Sequence, residues 1–184
     1  MTSVQRPRSA APQSQEPQSQ DLGSFAWFWL SAFVVVADQG TKWLASTYLE
    51  VGRPLALLPV FDLSLTHNTG AAFSLLHDAG GWQRWFFVGL AAIISIVLVL
   101  WLRHVPRHRR FEPCALALVL GGALGNLWDR IATGAVVDFI HVFWASWHFP
   151  AFNVADAAIS IGAVMLVWNA WRDRRAPTTA DQGP

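Results

Sequence analysis

Cysteine is nearly missing from this sequence. Cys114 is the only one in 184 residues, which excludes an internal disulfide and any multi-cysteine metal cage. It reads as a small apolar filler at the start of a helix. Charge is scarce too. Asp, Glu, Lys and Arg make up 14% of the chain against 53% hydrophobic residues, and the mean hydropathy is +0.33. That balance excludes an ordinary soluble domain and points to an integral membrane protein. A net charge of +1 gives no electrostatic reason for a nucleic-acid partner. Common catalytic signatures are lacking: there is no GxSxG elbow and no HExxH. His104 and His108 are separated by Pro106 in a basic loop, and His141 and His148 have no partner cluster in the sequence. A dyad of Lys42 with a serine such as Ser74 has nothing to support it. Metal chemistry is disfavoured and no cofactor is expected.

Long apolar runs are plentiful. A transmembrane helix needs about 20 mostly apolar residues. Four segments qualify, at roughly 25–48, 82–102, 114–131 and 154–171. Residues 1–24, rich in Gln, Pro and Ser, cannot offset their ordering entropy by burial and read as a disordered tail. They are too polar and too long for the start of a signal peptide, so the first apolar run reads as a retained span. Residues 172–184 form a second, basic tail. Nine of the thirteen basic residues (Arg6, Arg8, Arg103, Arg107, Arg109, Arg110, Arg172, Arg174 and Arg175) fall on one side of these spans. The positive-inside rule therefore puts both termini and the 103–112 loop in the cytoplasm. The tryptophans cluster near span ends and in the 132–153 segment, as an aromatic belt would. Of the outer segments, 49–78 contains FDLSLTH (61–67), whose alternation predicts a strand in a small sheet. The other, about 132–150, contains VVDFIHVFWASWHF and reads as an interfacial segment with a short helix along the membrane surface. The expected fold is an all-α membrane protein of four helices with a small outer β-sheet.

Ionisable groups inside spans are costly and raise functional hypotheses. Span 1 carries Asp38 and Lys42, spaced to pair on one helix face. At 1.5 Å per residue Asp38 lies about 20 Å along its outward-running span. Asn126, Asp129 and Arg130 of GGALGNLWDRI lie at about the same depth in span 3. Span 4 runs inward and opens with Asn153 and Asp156. Three spans thus place polar residues in one layer near the outer interface. Span 2 contributes none and reads as a wall. Asn68 and Gly70 of THNTGAAFS and Asp138 of VVDFIHV can overhang this layer. Asp38–Lys42 reads as a structural ion pair. Asn126, Asp129 and Arg130 fit interhelical glue and substrate positioning equally. Gly121 and Gly125 suggest close helix packing. Asn68-Thr69-Gly70 is either a turn or a backbone site for an extended peptide.

Asp138 and Asp156 are the best candidates for reaction. Two aspartates at about 3 Å share one proton. The ionised member can take a proton from water while the protonated one polarises a peptide carbonyl. The competing view makes Asp138 a solvated loop acid and Asp156 a helix N-terminal acid favoured by the dipole. Two further function classes compete: a small polytopic transporter and a membrane assembly protein. Against transport, the polar layer does not continue to the cytoplasmic side.

The motifs DQGTK, NTGAAFS, GGALGNLWDR, VVDFI and FNVADAAI, in that order on four spans, resemble the bacterial lipoprotein signal peptidases (signal peptidase II). The resemblance covers about residues 25–171. It implies an aspartic endopeptidase of the bacterial inner membrane. Such an enzyme removes signal peptides from prolipoproteins, cutting just before a diacylglyceryl-modified cysteine. By motif position, Asp138 and Asp156 match the catalytic pair. Asn68, Gly70, Asn126, Arg130 and Asn153 match residues that hold the substrate backbone or the pair, and Asp38, Lys42 and Asp129 match supporting positions. It further implies membrane lipid and a prolipoprotein as partners, inhibition by the cyclic peptide globomycin, a monomeric state and no cofactor.

Overall fold

The structure is a computed structural model that describes residues 22–70, 81–106 and 108–175. The order of elements is α1 (Leu22–Tyr48), β1 (Leu55–Leu58), β2 (Phe61–Asn68), α2 (Trp82–His104), α3 (Phe111–Ala132), β3 (Val136–Trp144), β4 (Trp147–His148) and α4 (Val154–Arg175). The expected tail over 1–24 lies outside the described residues except for its last three positions, where α1 has already begun. Most of the 172–184 tail and the 71–78 part of the outer β region also lie outside them.

Helix α3 is the centre of the bundle and packs against α1, α2 and α4. Its glycines allow this. A Cβ added to Gly121 would lie 2.7 Å from Val34 Cβ, and one on Gly125 would lie 2.6 Å from Asp38 Oδ2. Backbones approach this closely only over small residues. Pro113 sits in the first turn of α3, where its missing N–H leaves no hydrogen bond unmade. The burial pattern is inverted relative to a soluble protein. Trp29, Phe33, Val36, Ile93, Val164 and Val167 are exposed on the bundle surface, whereas Asp38 and Asn153 are wholly buried. Among the described residues, three helices are long and apolar enough to cross a membrane: Trp82–His104, Phe111–Ala132 and Val154–Arg174.

One expectation is corrected. The segment read as a short interfacial helix is strand β3 followed by β4. Its β-branched and aromatic content suits a pleated, half-buried surface, and the ladder partner is β2. The four strands form one antiparallel sheet in the order β1-β2-β3-β4. The β2–β3 register sets Thr66 opposite Asp138 and Asn68 opposite Val136. After β4 the chain returns along β3, with Ile140 and Phe152 exchanging backbone hydrogen bonds of 2.8 and 3.0 Å. It then enters α4 at Asn153. The histidines left unpartnered by the sequence also meet in this sheet. His141 bonds Asp62 at 2.9 Å and His148 at 3.2 Å, and the two imidazoles stack.

Candidate active site

Helix α1 brings Asp38, Gln39 and Lys42 against the last two turns of α3, and these residues form a buried lower tier. Lys42 Nζ lies 2.7 Å from Asp38 Oδ2 and 2.8 Å from Asp129 Oδ2, and donates to Asn126 Oδ1 at 2.9 Å. All three ammonium donors are thereby used. Burying this charge is tolerable only because it is paired and hydrogen-bonded. The second oxygen of Asp38 accepts the Ala155 N–H at 2.9 Å. A carboxylate is thus held at the N-terminus of α4, where the helix dipole favours it. Gln39 donates to Asp129 Oδ1 at 2.8 Å and to the Gly125 carbonyl at 3.2 Å. Gln39, three positions before Lys42, was the signal that an uncharged member faces the same helix.

The upper tier is built on asparagines. Asn126 Oδ1, already bonded to Lys42, also accepts from Asn153 Nδ2 at 3.2 Å, and Asn126 Nδ2 donates to Asp156 Oδ1 at 2.7 Å. Asn153 begins α4 in a reciprocal cap. Its Oδ1 accepts the Asp156 N–H at 2.8 Å, and Asp156 Oδ2 accepts the Asn153 N–H at 3.3 Å. This is the geometry of a capping box with aspartate as the second member. The same Asn153 side chain donates to Asp138 Oδ1 at 2.7 Å. Asn68, at the end of β2, donates to the other Asp138 oxygen at 3.1 Å and accepts the Gly70 N–H at 3.1 Å. The Asn68–Gly70 stretch is therefore a turn that also contacts an aspartate. Thr66, also missed in the sequence, donates to the Asp138 carbonyl at 3.2 Å. Its place opposite Asp138 follows from strand register alone.

Arg130 extends from α3 toward the outer edge of the site. It donates to the Gly70 carbonyl at 3.3 Å and to the Asn126 carbonyl at 3.4 Å, with its guanidinium 5.2 Å from the centre of the Phe87 ring. Asn68, Gly70, Asn126, Arg130, Asp138 and Asp156 line one cavity of about 1020 Å³. Its apolar wall comes from Phe149 and Phe152 after the sheet and from Ile159 and Ile161 on α4. Asp138, on β3, is 2% exposed. Burial first, and then the Asp156 charge, push its carboxyl up to about 6. Hydrogen bonds from Asn68 and Asn153, and the charge of Lys42, pull the other way.

Every sequence-derived candidate thus falls in this cavity or in the network directly beneath it. Span 2 is not the blank wall expected, because Arg84 and Phe87 of α2 both reach the last turn of α3. A family profile described as "Signal peptidase (SPase) II" matches residues 30–172. The chain belongs to the signal peptidase II family. The lipoprotein signal peptidase of Acinetobacter baumannii is 51% identical over 156 residues, which span 84% of this chain and 89% of that one. The lipoprotein signal peptidase of Pseudomonas putida is 49% identical over 162 residues, 87% of this chain and 95% of that protein. A solved bacterial membrane enzyme superposes with a TM-score of 0.76 at 31% identity, covering 84% of this chain and 93% of that one. As a signal peptidase II the chain is an aspartic peptidase of a bacterial inner membrane.

Proposed function

We propose that Asp138 and Asp156 are the catalytic pair of this signal peptidase II. The enzyme removes signal peptides from prolipoproteins. In this reading the cut falls just before the diacylglyceryl-modified cysteine. The observation that carries the pair is Asn153, one side chain that binds Asp138 and caps the helix turn holding Asp156. Asp138 keeps the proton, in line with its carboxyl lying near 6. Asp156 is the ionised member, supported by the Asn126 amide, the Asn153 N–H and the N-terminal dipole of α4. Asp156 takes a proton from water as its oxygen attacks the scissile carbonyl. Asp138 gives its proton to the carbonyl oxygen, yielding a neutral gem-diol. On collapse the diol returns a proton to Asp138, and Asp156 protonates the leaving nitrogen, so both carboxyls end as they began.

The remaining features follow the same reading. Helix α1 is a fourth span: its outer face carries exposed Trp29, Phe33 and Val36, while its charges turn inward to α3. Both termini are cytoplasmic, the sheet and cavity lie at the outer face, and the protein works as a monomer. The wall of Phe149, Phe152, Ile159 and Ile161 suits a lipidated apolar helix entering from the bilayer. Asn68, Gly70, Asn126 and Arg130 hold the substrate backbone or the pair, and globomycin competes for the same cavity. The test is cleavage of a diacylglyceryl-modified prolipoprotein by the purified chain. Wild type should cut and be blocked by globomycin. Asp138→Asn and Asp156→Asn should each lose at least about 100-fold in kcat while still inserting. Normal cleavage by either well-folded variant would sink the assignment.

A further inference from the structure

A cation in the first turn of a helix opposes the dipole of that helix, yet Arg84 occupies the third position of α2. Its partners account for it. A helix end leaves its last four carbonyls without intrahelical donors. In α3 the Asp129 carbonyl is taken by the Thr133 N–H at 2.8 Å. The next two are taken by Arg84, whose Nε donates to the Arg130 carbonyl at 2.8 Å and Nη2 to the Ile131 carbonyl at 2.7 Å. The guanidinium therefore sits at the negative end of α3, where a cation is favoured, and its fork spans two successive carbonyls as an ammonium cannot.

Phe87, one turn further along α2, presents its ring to the Arg130 guanidinium at 5.2 Å. Two residues on one face of α2 thus grip the two ends of Arg130, backbone and side chain. Gly134, at φ +86, follows directly and begins the turn into β3. A Cβ there would come within 3.3 Å of Arg84 Nη1. Arg84 is therefore packed into the joint between the helix bearing Arg130 and the strand bearing Asp138.

We propose that Arg84 and Phe87 are positioning residues that aim Arg130 at the substrate backbone. The inference rests on the reading that Arg130 faces the substrate. Neither residue reaches the reacting carboxyls, so the effect falls on substrate binding.

The test is steady-state cleavage of a diacylglyceryl-modified prolipoprotein by the purified full chain, with the active fraction titrated by inhibitor. Arg84→Gln should raise KM about tenfold and leave kcat per active enzyme within about twofold. Arg84→Lys should recover part of that loss, because one carbonyl regains a cationic donor. Phe87→Leu, which keeps apolar bulk and removes the ring face, should raise KM in the same direction and carries the test if Arg84→Gln does not fold. In an Arg130→Lys background, Arg84→Gln should add less than about twofold. A fall in active enzyme at unchanged KM, or effects of Arg84→Gln and Arg130→Lys that multiply, would overturn the proposal. The two readings fail separately. Cleavage by Asp138→Asn defeats the catalytic pair and leaves a KM shift in Arg84→Gln standing, whereas an unchanged KM beside an inactive Asp138→Asn defeats the clamp alone.

Discussion

Asn153 has two duties that one substitution can separate. As a cap it satisfies the first turn of α4, and as a bridge it ties Asp138 to Asn126 and Asp156. Asn153→Ser keeps a capping oxygen and loses the amide donor to Asp138. A hydrogen bond to the neutral, proton-bearing Asp138 contributes about 0.5–1.5 kcal/mol, so kcat should fall about 2- to 10-fold with little change in thermal unfolding. Asn153→Ala should lose activity similarly and about 1 kcal/mol of stability as well. Asp138 makes a pH prediction. Its carboxyl is raised from 3.8 to about 6 in the folded protein, so the protonated form is favoured there. If it must carry the proton, kcat/KM declines as pH rises through about 6, with the apparent value belonging to the coupled pair. The stability linked to this group has the same sign, being present below pH 3.8 and lost through about 6. Asp138→Asn should therefore unfold no lower than wild type at pH 7, as thermal melts would check. A profile that rises through pH 6 would reverse the acid and base roles.

Among elements, α1 and α3 show how charge is kept inside a membrane bundle. Lys42 is the shared counter-ion of two buried carboxylates. Lys42→Met would leave Asp38 and Asp129 facing each other without it, at a cost of about 3–5 kcal/mol. Loss of folded protein in detergent melts is the expected result. Lys42→Met combined with Asp38→Asn and Asp129→Asn should recover part of the fold, since the pair's cost is then removed with its benefit. The ion pair of Asp38 and Lys42 was legible in the sequence because four-residue spacing sets two side chains on one helix face. Asp129 as the third member was not, because joining α1 to α3 depends on how the helices pack. Strand β3 was misread for a related reason. The run VVDFIHVFW is too short for a span and dense in aromatics, which suits an interfacial helix as well as a strand. Only the presence of β2, with its own backbone groups to satisfy, selects the strand.

At the scale of the whole molecule, topology is the testable quantity. In a Cys114→Ser background, Ser146→Cys at the β3–β4 turn should label with a membrane-impermeant maleimide in intact cells. Arg110→Cys, before α3, should label only after lysis. Labelling of both from outside would reject the proposed orientation. The fold also joins parts far apart in the chain: Asn68 and Asp138 are 70 residues apart and bonded at 3.1 Å, and Ala155 and Asp38 are 117 apart and bonded at 2.9 Å.

The sequence by itself determined the solvent of this protein, the positions of its apolar runs and the helix positions at which polar residues gather. Those properties follow from composition and from a fixed rise per residue, and need no knowledge of neighbours. It also placed Asp138 and Asp156 among the candidates, and the family resemblance matched them to a catalytic pair. Only the tertiary structure decided which side chain serves which. It made Asn153 the bridge between the aspartates, recruited Gln39 and Thr66, turned an expected helix into a strand and gave α2 a grip on Arg130. Each of these depends on contacts between residues far apart in the chain, and helix or strand periodicity carries no information about them.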